Sequence, residues 1–267
     1  MNKMYLDFVS QYVYNVFQPI VCLEKKQVVS FELLSRLQYK GIHYTAYDIF
    51  SNASESVTSH IGKKNILMIA RLQREPLYKD YTYTINLSSS DINNGASSFL
   101  NKMIERKKIN PKKIVIEITE DVELKGKTIE RIECLKSKGV KFAIDDFGNG
   151  YSTFNYLLDS SLSNIFDYVK LDGALIRDIE VDYAKKEVVK TILGVARKKS
   201  IKTIVEHIDS FDNLEIISTL GADYAQGYLF SKPLCYEDKK AFVEENNVLN
   251  IITYANFEKN IGEMETW

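Results

Sequence analysis

The stretch VKFAIDDFGNGYSTF, residues 140–154, joins a strand pattern to an acidic loop that contains two glycines. Apolar residues spaced two apart, from Val140 to Ile144, are typical of a buried β-strand. That strand ends at two adjacent carboxylates, Asp145 and Asp146. Like charges are costly in a low-dielectric pocket unless cations neutralise them. The stretch therefore predicts a strand that delivers acidic side chains to a cation site.

Strand-like runs recur on both sides of this stretch, with amphipathic helical patterns between most of them. The strand runs lie at residues 81–88, 113–120, 140–146, 166–172, 201–207 and 222–230. The helical patterns lie at residues 61–75, 97–108, 126–139 and 182–199. Strands that alternate with helices of this length indicate parallel β/α units.

The first part of the chain predicts a hairpin. Residues 16–37 contain two β-rich runs around the polar segment from Glu24 to Gln27. With the second hairpin strand, about seven barrel strands are visible, and we expect an eighth near residues 44–50 or in an irregular segment. This total favours a closed β/α barrel. The alternative is a doubly wound sheet, but no strand is followed by GxGxxG or GxxxxGK[ST].

Composition narrows the class of protein. The 267 residues are 45% apolar, enough to bury one large core, and no low-complexity linker divides them. The net charge of −1 has no basic block, which argues against a DNA or RNA polymer as partner. Three widely spaced cysteines favour a reducing compartment. Without a signal peptide or a run of about 18 apolar residues, we expect a soluble, cytoplasmic protein with no membrane partner.

Polar side chains stand at or near the carboxyl end of most strand runs. They are Glu32, Asn86, Glu117, Asp145, Asp146, Lys170, Asp172, Glu206 and Gln226. Each acid taken alone is more often a helix cap or a solvated turn, but a barrel brings all strand ends to one face. Oxygen ligands without Cys or paired His suit Mg²⁺ or Mn²⁺, and this many acids suit two ions.

An ordered set of motifs carries a family resemblance. The motifs are QPIV (18–21), ELLSR (32–36), NLS (86–88), EITE (117–120), DDFGNGYS (145–152), KLD (170–172), VE (205–206) and QGYLFSKPL (226–234). From about residue 10 to residue 240, the chain resembles the EAL family. The resemblance implies a modified TIM-type (β/α)8 barrel with an antiparallel first strand. It also implies a hydrolase, a phosphodiesterase that converts cyclic di-GMP to linear pGpG.

The resemblance implies metal ligands residue by residue. It assigns a first ion to four residues: Glu32, Asn86, Glu117 and Asp145. Asp145 would bridge to a second ion, which Asp146 and Glu206 would also hold.

The resemblance also implies roles in turnover and substrate binding. Lys170 would orient the attacking water, and Gln226 would support the network around it. Glu120 would hold the loop that starts at Phe147. The expected substrate contacts are Gln18, Leu34, Arg36, Asp172 and Pro233.

Four residues at three places depart from the family pattern. Leu33 replaces the usual alanine of the signature triplet. His207 and Asp209 stand where Gly-Val-Glu usually follows Glu206, and Gly173 follows KLD where a charged residue is common. His207 would crowd the second-metal site, add a ligand to it, or lie at the pocket edge.

The predicted organisation is a phosphodiesterase domain over residues 1–240, with an N-terminal helix at about 1–14. Residues 241–267 would form a C-terminal helical extension or a tail. A homodimer is expected from the resemblance, and regulation would come from expression, dimerisation or a separate protein.

Two other functions remain open. The first is a weak or inactive EAL domain that acts as a cyclic di-GMP receptor or a protein-binding adaptor, in which losses among the acids are expected and none is seen. The second is an unrelated barrel enzyme that uses Mg²⁺ for enolate chemistry, which does not account for DDFGNGYS.

Overall fold

The computed structural model describes residues 11–45, 48, 53–93, 95–118, 124–148, 157, 159, 162 and 164–245. The predicted hairpin is confirmed: β1 (Val13–Cys22) pairs antiparallel with β2 (Gln27–Tyr39). A polar turn joins them, in which Lys26 adopts a left-handed backbone with φ 52°. A short β3 (Ile42–Tyr44) adds to the far part of β2.

The strands that follow run parallel to β2 and close a barrel. They are β4 (Thr82–Asn86), β5 (Ile114–Ile118), β6 (Lys141–Phe147), β7 (Tyr168–Leu171), β8 (Lys202–Val205) and β9 (Tyr224–Ala225). β4 pairs with β2, each later strand pairs in parallel with the strand before it, and β9 also pairs antiparallel with β1. The predicted (β/α)8-type barrel with an antiparallel first strand is therefore confirmed.

The position of the eighth barrel strand differs from the expectation. It is β1, the first strand of the hairpin, which closes the ring by pairing with both β2 and β9. The segment expected to supply it contributes only β3 among its described residues, and β3 pairs with β2 alone.

Helices surround the barrel where the sequence has amphipathic patterns. They are α1 (Glu55–Leu72), α2 (Ser89–Asn93), α3 (Gly95–Glu105), α4 (Lys127–Ser137), α5 (Gly173–Ile176), α6 (Tyr183–Lys198), α7 (Phe211–Leu220) and α8 (Tyr236–Glu244). A 3₁₀ turn spans Pro111–Lys113. Side-chain caps fix helix starts: the carboxylate of Asp182 accepts from Lys185 N, and the hydroxyl of Ser210 accepts from Asn213 N.

The parallel strands are buried on both faces, as expected when helices cover a closed sheet. All five residues of β5 are buried, including Glu117 near its carboxyl end. A charged residue in so apolar a strand needs partners, and these lie at the mouth of the barrel.

The two ends of the chain are described only in part. Residues 11 and 12 are helical and Val13 begins β1, while residues 1–10 of the predicted N-terminal helix lie outside the described residues. Helix α8 crosses position 240, and residues 246–267 lie outside the described part. Among the helices that the structure describes, none has the length and apolar character of a membrane span.

Helix α8 docks on the hairpin through a buried lysine. Phe17 and Leu234 exchange two backbone hydrogen bonds of 2.8 Å just before α8 begins. The Lys239 ammonium lies 3.7 Å from the ring centroid of Tyr78 and 4.1 Å from that of Phe17. It has no hydrogen-bond acceptor within the described ranges. Burial lowers the pKa of Lys239 to about 7.

Candidate active site

The middle of β2 and the carboxyl ends of β5, β6 and β8 bring four predicted acids together around one lysine of β7. The Nζ atom of Lys170, at the end of β7, lies 2.9 Å from Asp145 Oδ1 and 2.8 Å from Glu206 Oε1. It also lies 3.1 Å from Glu117 Oε2 and 3.5 Å from Glu32 Oε2. Because Lys170 is only 1% exposed, these ion pairs lie in a low-dielectric interior.

Two amides hold the carboxylate of Glu32 from both sides. Asn86 Nδ2 donates to Glu32 Oε1 at 3.1 Å, and Gln226 Nε2 donates to Glu32 Oε2 at 2.8 Å. Burial raises the pKa of Glu32, but Lys170 and these hydrogen bonds outweigh burial and leave the pKa below its ordinary value. Glu32 therefore stays ionised in this cluster.

The other acids are poorly neutralised. Burial raises the pKa of Glu117 well above its ordinary value, and the charge of Glu32 adds to the rise. Burial raises the pKa of Glu206 to about 8, although Lys170 opposes the rise. Burial and the neighbouring Asp145 raise the pKa of Asp146 to about 6. One ammonium is thus too little positive charge for these carboxylates.

Adjacent side chains of a regular strand point to opposite faces, yet Asp145 and Asp146 serve the same cluster. The pairing of β6 with β7 is irregular between Ile144 and Phe147. Within this irregularity Asp146 adopts a left-handed backbone with φ 51°. The local break in the ladder re-aims a side chain, so that both carboxylates of the pair line one cavity.

The donor set fits a hard divalent cation. Asp145, Asp146 and Glu206 each offer a carboxylate oxygen, and these atoms lie within 4.8 Å of one another. Glu117 Oε1 is buried and accepts no hydrogen bond from any described residue. Oxygen donors, excess negative charge and an orphaned buried carboxylate oxygen together match the ligands that Mg²⁺, Mn²⁺ or Ca²⁺ prefers.

A cavity of about 440 Å³ opens above this cluster. The predicted substrate residues Gln18 and Leu34 line it, as do His207 and Asp209. Sequence reasoning missed Tyr228, which also lines the cavity and is 61% exposed. The available signal was position, because Tyr228 follows the predicted Gln226 by two residues in the motif QGYLFSKPL.

The other residues predicted to contact substrate or hold the loop are not among the described residues that line the cavity. Arg36 Nη1 donates to the carbonyl of Ser35 at 2.9 Å, two residues beyond Leu34 on β2. Asp172 Oδ1 accepts from Ala174 N at 2.7 Å and so caps α5, as a single strand-end acid commonly does. Pro233 is half-buried, directly before the Leu234 bridge to β1. Glu120 lies outside the described residues.

Comparison with protein families shows the family to which the chain belongs. The family described as "EAL domain" matches residues 4–233. The chain belongs to the EAL domain family. Its membership accounts for the ordered motifs at the strand ends of the barrel.

Curated relatives of this EAL domain are longer proteins. It is 30% identical over 160 residues to "Cyclic di-GMP phosphodiesterase PdeB" of Shewanella oneidensis, covering 59% of this chain and 18% of that one. It is 28% identical over 233 residues to "Probable cyclic di-GMP phosphodiesterase PdeN" of Escherichia coli, covering 84% and 44%. The chain thus spans less than half the length of either relative.

Solved structures support the same fold. "Structure of EAL Enzyme Bd1971 - cAMP and cyclic-di-GMP bound form" aligns with a TM-score of 0.75 and 26% identity, over 91% of this chain and 67% of that one. A manganese and cyclic di-GMP complex of Klebsiella pneumoniae BlrP1 aligns with a TM-score of 0.70 and 27% identity, over 84% and 56%. The barrel of this EAL domain is therefore the fold of those structures.

Proposed function

We propose that this EAL domain is a metal-dependent phosphodiesterase that hydrolyses cyclic di-GMP to linear pGpG. The observation that carries the proposal is the cluster around Lys170, whose Nζ lies within 3.5 Å of carboxylates from four strands beneath a cavity. The names of the relatives and the ligands of the similar structures support this choice of substrate.

The acids would hold two Mg²⁺ or Mn²⁺ ions. Glu32, Asn86, Glu117 and Asp145 are the residues for one ion, and Asp145, Asp146 and Glu206 for the other. When bound, such ions supply the positive field that stabilises charge on the attacking and leaving oxygens of a phosphodiester. Hydrolysis adds one water, breaks one P–O3′ bond and leaves a 5′-phosphate and a free 3′-hydroxyl.

The state of Lys170 limits its role. Although burial alone disfavours an ammonium, Asp145, Glu117, Glu206 and Glu32 raise the pKa of Lys170 well above its ordinary value. In the metal-free cluster Lys170 is therefore a hydrogen-bond donor and not a general base. It would orient the attacking water and hold the carboxylates in position. Gln226 supports this network through its bond to Glu32.

Substrate would enter the cavity lined by Gln18 and Leu34. Arg36 lies two residues beyond Leu34 on β2, Asp172 follows β7, and Pro233 directly precedes the Leu234 bridge to β1, and their contacts with substrate stay predictions. The role of Glu120, the homodimer, a separate regulatory protein and the cytoplasmic setting stay predictions. So does the division into residues 1–240 and 241–267, although the family match ends at residue 233.

The test is turnover of cyclic di-GMP by purified protein with Mg²⁺ or Mn²⁺, followed by chromatography of the nucleotides. We expect pGpG as the product, no product in EDTA, and loss of product in Asp146→Asn. Glu187→Gln removes a carboxylate on the exposed side of α6 and should leave turnover unchanged. Absence of pGpG with the unmodified protein and either metal would refute the proposal. Binding of intact cyclic di-GMP without turnover would instead support the receptor function.

A further inference from the structure

His207 has a backbone conformation that an L-residue adopts at an energetic cost. Its φ is 56°, in the left-handed region, and it lines the same cavity as Asp146, whose φ is 51°. Such conformations persist only where the surrounding structure enforces them, and they cluster at functional sites. The conformation of His207 therefore requires an explanation in the contacts around it.

The imidazole of His207 rests on Gly173, the first residue of α5. A Cβ atom added to Gly173 would lie 2.3 Å from both Cγ and Nδ1 of His207 and 2.8 Å from its Cβ. The ring thus occupies the space that a side chain at position 173 would need. Gly173 itself is buried and does not have a left-handed φ, so the glycine provides space for the ring and not a special backbone conformation.

The segment that carries His207 is fixed from behind by the segment that carries Gln226 and Tyr228. Ile208 N donates to the carbonyl of Gln226 at 3.1 Å, and Leu229 N donates to the carbonyl of Ile208 at 3.0 Å. A Cβ added to Gly227 would lie 2.0 Å from that Ile208 carbonyl oxygen, so the two segments are in close backbone contact. His207 and Tyr228 are therefore carried by one rigid part of the cavity rim.

His207 stands apart from the acidic cluster. The carboxylates of Asp145, Asp146 and Glu206 form the ligand group found among the described residues, and the ring nitrogens of His207 are not in it. The residue is exposed at the rim, as is Tyr228. A phosphodiester of the substrate is expected at the acidic cluster, where the proposed metal ions would bind. The planar rings of His207 and Tyr228 at the rim are therefore placed to contact the base of a nucleotide.

We propose that His207, seated on Gly173, is a substrate-binding residue that stacks on a purine base of the substrate. The inference rests on the proposed function, because it takes a cyclic dinucleotide as the occupant of the cavity. Aromatic and imidazole rings stack on nucleobases without needing a particular hydrogen-bond pattern. Tyr228 would offer a second planar surface at the same rim. Gly173 has the supporting role of leaving room for the ring.

The test combines three substitutions with steady-state kinetics. His207→Asn keeps a residue that tolerates a left-handed backbone but removes the ring, and should raise KM for cyclic di-GMP about tenfold with kcat within about twofold. His207→Phe keeps a planar ring and should stay within about threefold of the unmodified KM. Gly173→Ala should displace the ring and raise KM about as much as His207→Asn.

The double variant, Gly173→Ala with His207→Asn, should be no worse than His207→Asn alone, because the alanine then has no ring to displace. The concentration of Mn²⁺ that gives half-maximal activity should be the same in all variants. A KM for His207→Asn within twofold of the unmodified value would overturn the inference. Strictly additive effects in the double variant would also overturn it, as would a KM for His207→Phe as high as that for His207→Asn. So would a higher Mn²⁺ concentration for half-maximal activity in any of the variants.

Binding measurements separate this inference from the proposed function. Calorimetric titration with cyclic di-GMP in Ca²⁺, the ion of one BlrP1 complex, gives Kd for each variant without requiring turnover. If the protein binds without turnover and Kd follows the expected pattern, the phosphodiesterase proposal fails and the stacking role stands. If turnover is normal but KM and Kd do not change, the stacking role alone fails. If the unmodified protein neither binds nor cleaves, both are overturned.

Discussion

Lys170 and Lys239 are both at most 1% exposed, yet the surroundings of the two ammonium groups differ completely. Lys170 lies among carboxylates, which raise its pKa well above the ordinary value despite burial. Lys239 lies among the rings of Phe17, Tyr78 and Tyr236, and burial lowers its pKa to about 7. Ring faces attract a cation more weakly than carboxylates do, so a lysine in an aromatic cage can lose its proton near neutral pH.

The two lysines also lie near the same hairpin. Lys170 pairs with Glu32, and Lys239 contacts the rings of Phe17 and Phe31, the residues before Gln18 and Glu32 in the chain. Gln18 and Glu32 are opposite each other in the β1–β2 register. Because side chains alternate along a strand, one lysine serves the cavity side of the hairpin and the other serves its outer side. Ion pairs of Lys170 stabilise the acidic cluster, and contacts of Lys239 with aromatic rings stabilise the docking of α8 on the hairpin.

Removal of Lys170 should have the largest effect. Lys170→Met leaves the buried carboxylates without their cation, so in EDTA the free energy of unfolding should fall by about 3 kcal/mol. Turnover with metal should fall at least about a hundredfold. Urea denaturation and the nucleotide assay measure these changes. Lys190→Met, on the exposed side of α6, should change stability by less than about 0.5 kcal/mol. Unchanged stability of Lys170→Met in EDTA would show that the acids neutralise themselves by taking up protons.

Glu117→Gln should have an intermediate effect, visible only with metal. The pKa of Glu117 is raised well above its ordinary value, mainly by burial, so an amide removes a charge that the metal-free protein holds only at a cost. In EDTA we expect stability within about 1 kcal/mol of the unmodified protein. Saturating Mn²⁺ should stabilise the unmodified protein by about 1–3 kcal/mol, and the variant much less.

Thermal denaturation with and without Mn²⁺ measures this difference. Glu105→Gln, which changes a largely exposed carboxylate paired with Lys138, is the matched control and should keep the full response to Mn²⁺. An equal rise of Tm in Glu117→Gln and in the unmodified protein would remove Glu117 from the metal ligands.

Lys239→Met should have the smallest effect, and its sign depends on pH. The pKa of Lys239 falls from 10.5, the ordinary value, to about 7 in the folded protein. Between these values the unfolded chain binds more protons, so the stability of the unmodified protein rises as pH rises. Below about pH 7 the variant should be more stable by about 1 kcal/mol. Each pH unit above 7 raises the stability of the unmodified protein by up to about 1.4 kcal/mol, so the sign should reverse by about pH 8.

Urea denaturation at several pH values tests this expectation. Lys240→Met, one residue further along α8 and well exposed, should show no pH-dependent difference. A constant difference between Lys239→Met and the unmodified protein would mean that the ring faces keep Lys239 charged throughout.

Local patterns in the sequence predicted much of the barrel and the acids of its mouth. Strand alternation located β4 to β9, and helical spacing located α1, α3, α4 and α6. The sequence predicted β1 as a hairpin strand but not its place in the ring. That place depends on pairing with β9, and no local periodicity reports a contact between residues about 200 positions apart.

Tertiary geometry explains the other misses. The sequence predicted that Asp145 and Asp146 serve one site, but not the break in the ladder between β6 and β7 that allows two adjacent side chains to do so. The burial of Lys239 was not predicted, because a lysine on a charged helix is ordinarily exposed and only the docking of α8 on Phe17 and Tyr78 makes it a core residue.

The closure of the barrel also sets the order in which the site can form. The β1–β9 seam has two residue pairs, Val21↔Ala225 and Cys22↔Tyr224, and the bond from Gln226 to Glu32 spans 194 positions. Such long-range contacts slow folding, because a long loop must close before they form. A nascent chain therefore lacks a complete pocket until residue 226 has left the ribosome. In the mature protein, amide hydrogens at this short seam should exchange with solvent before those of β5 and β6.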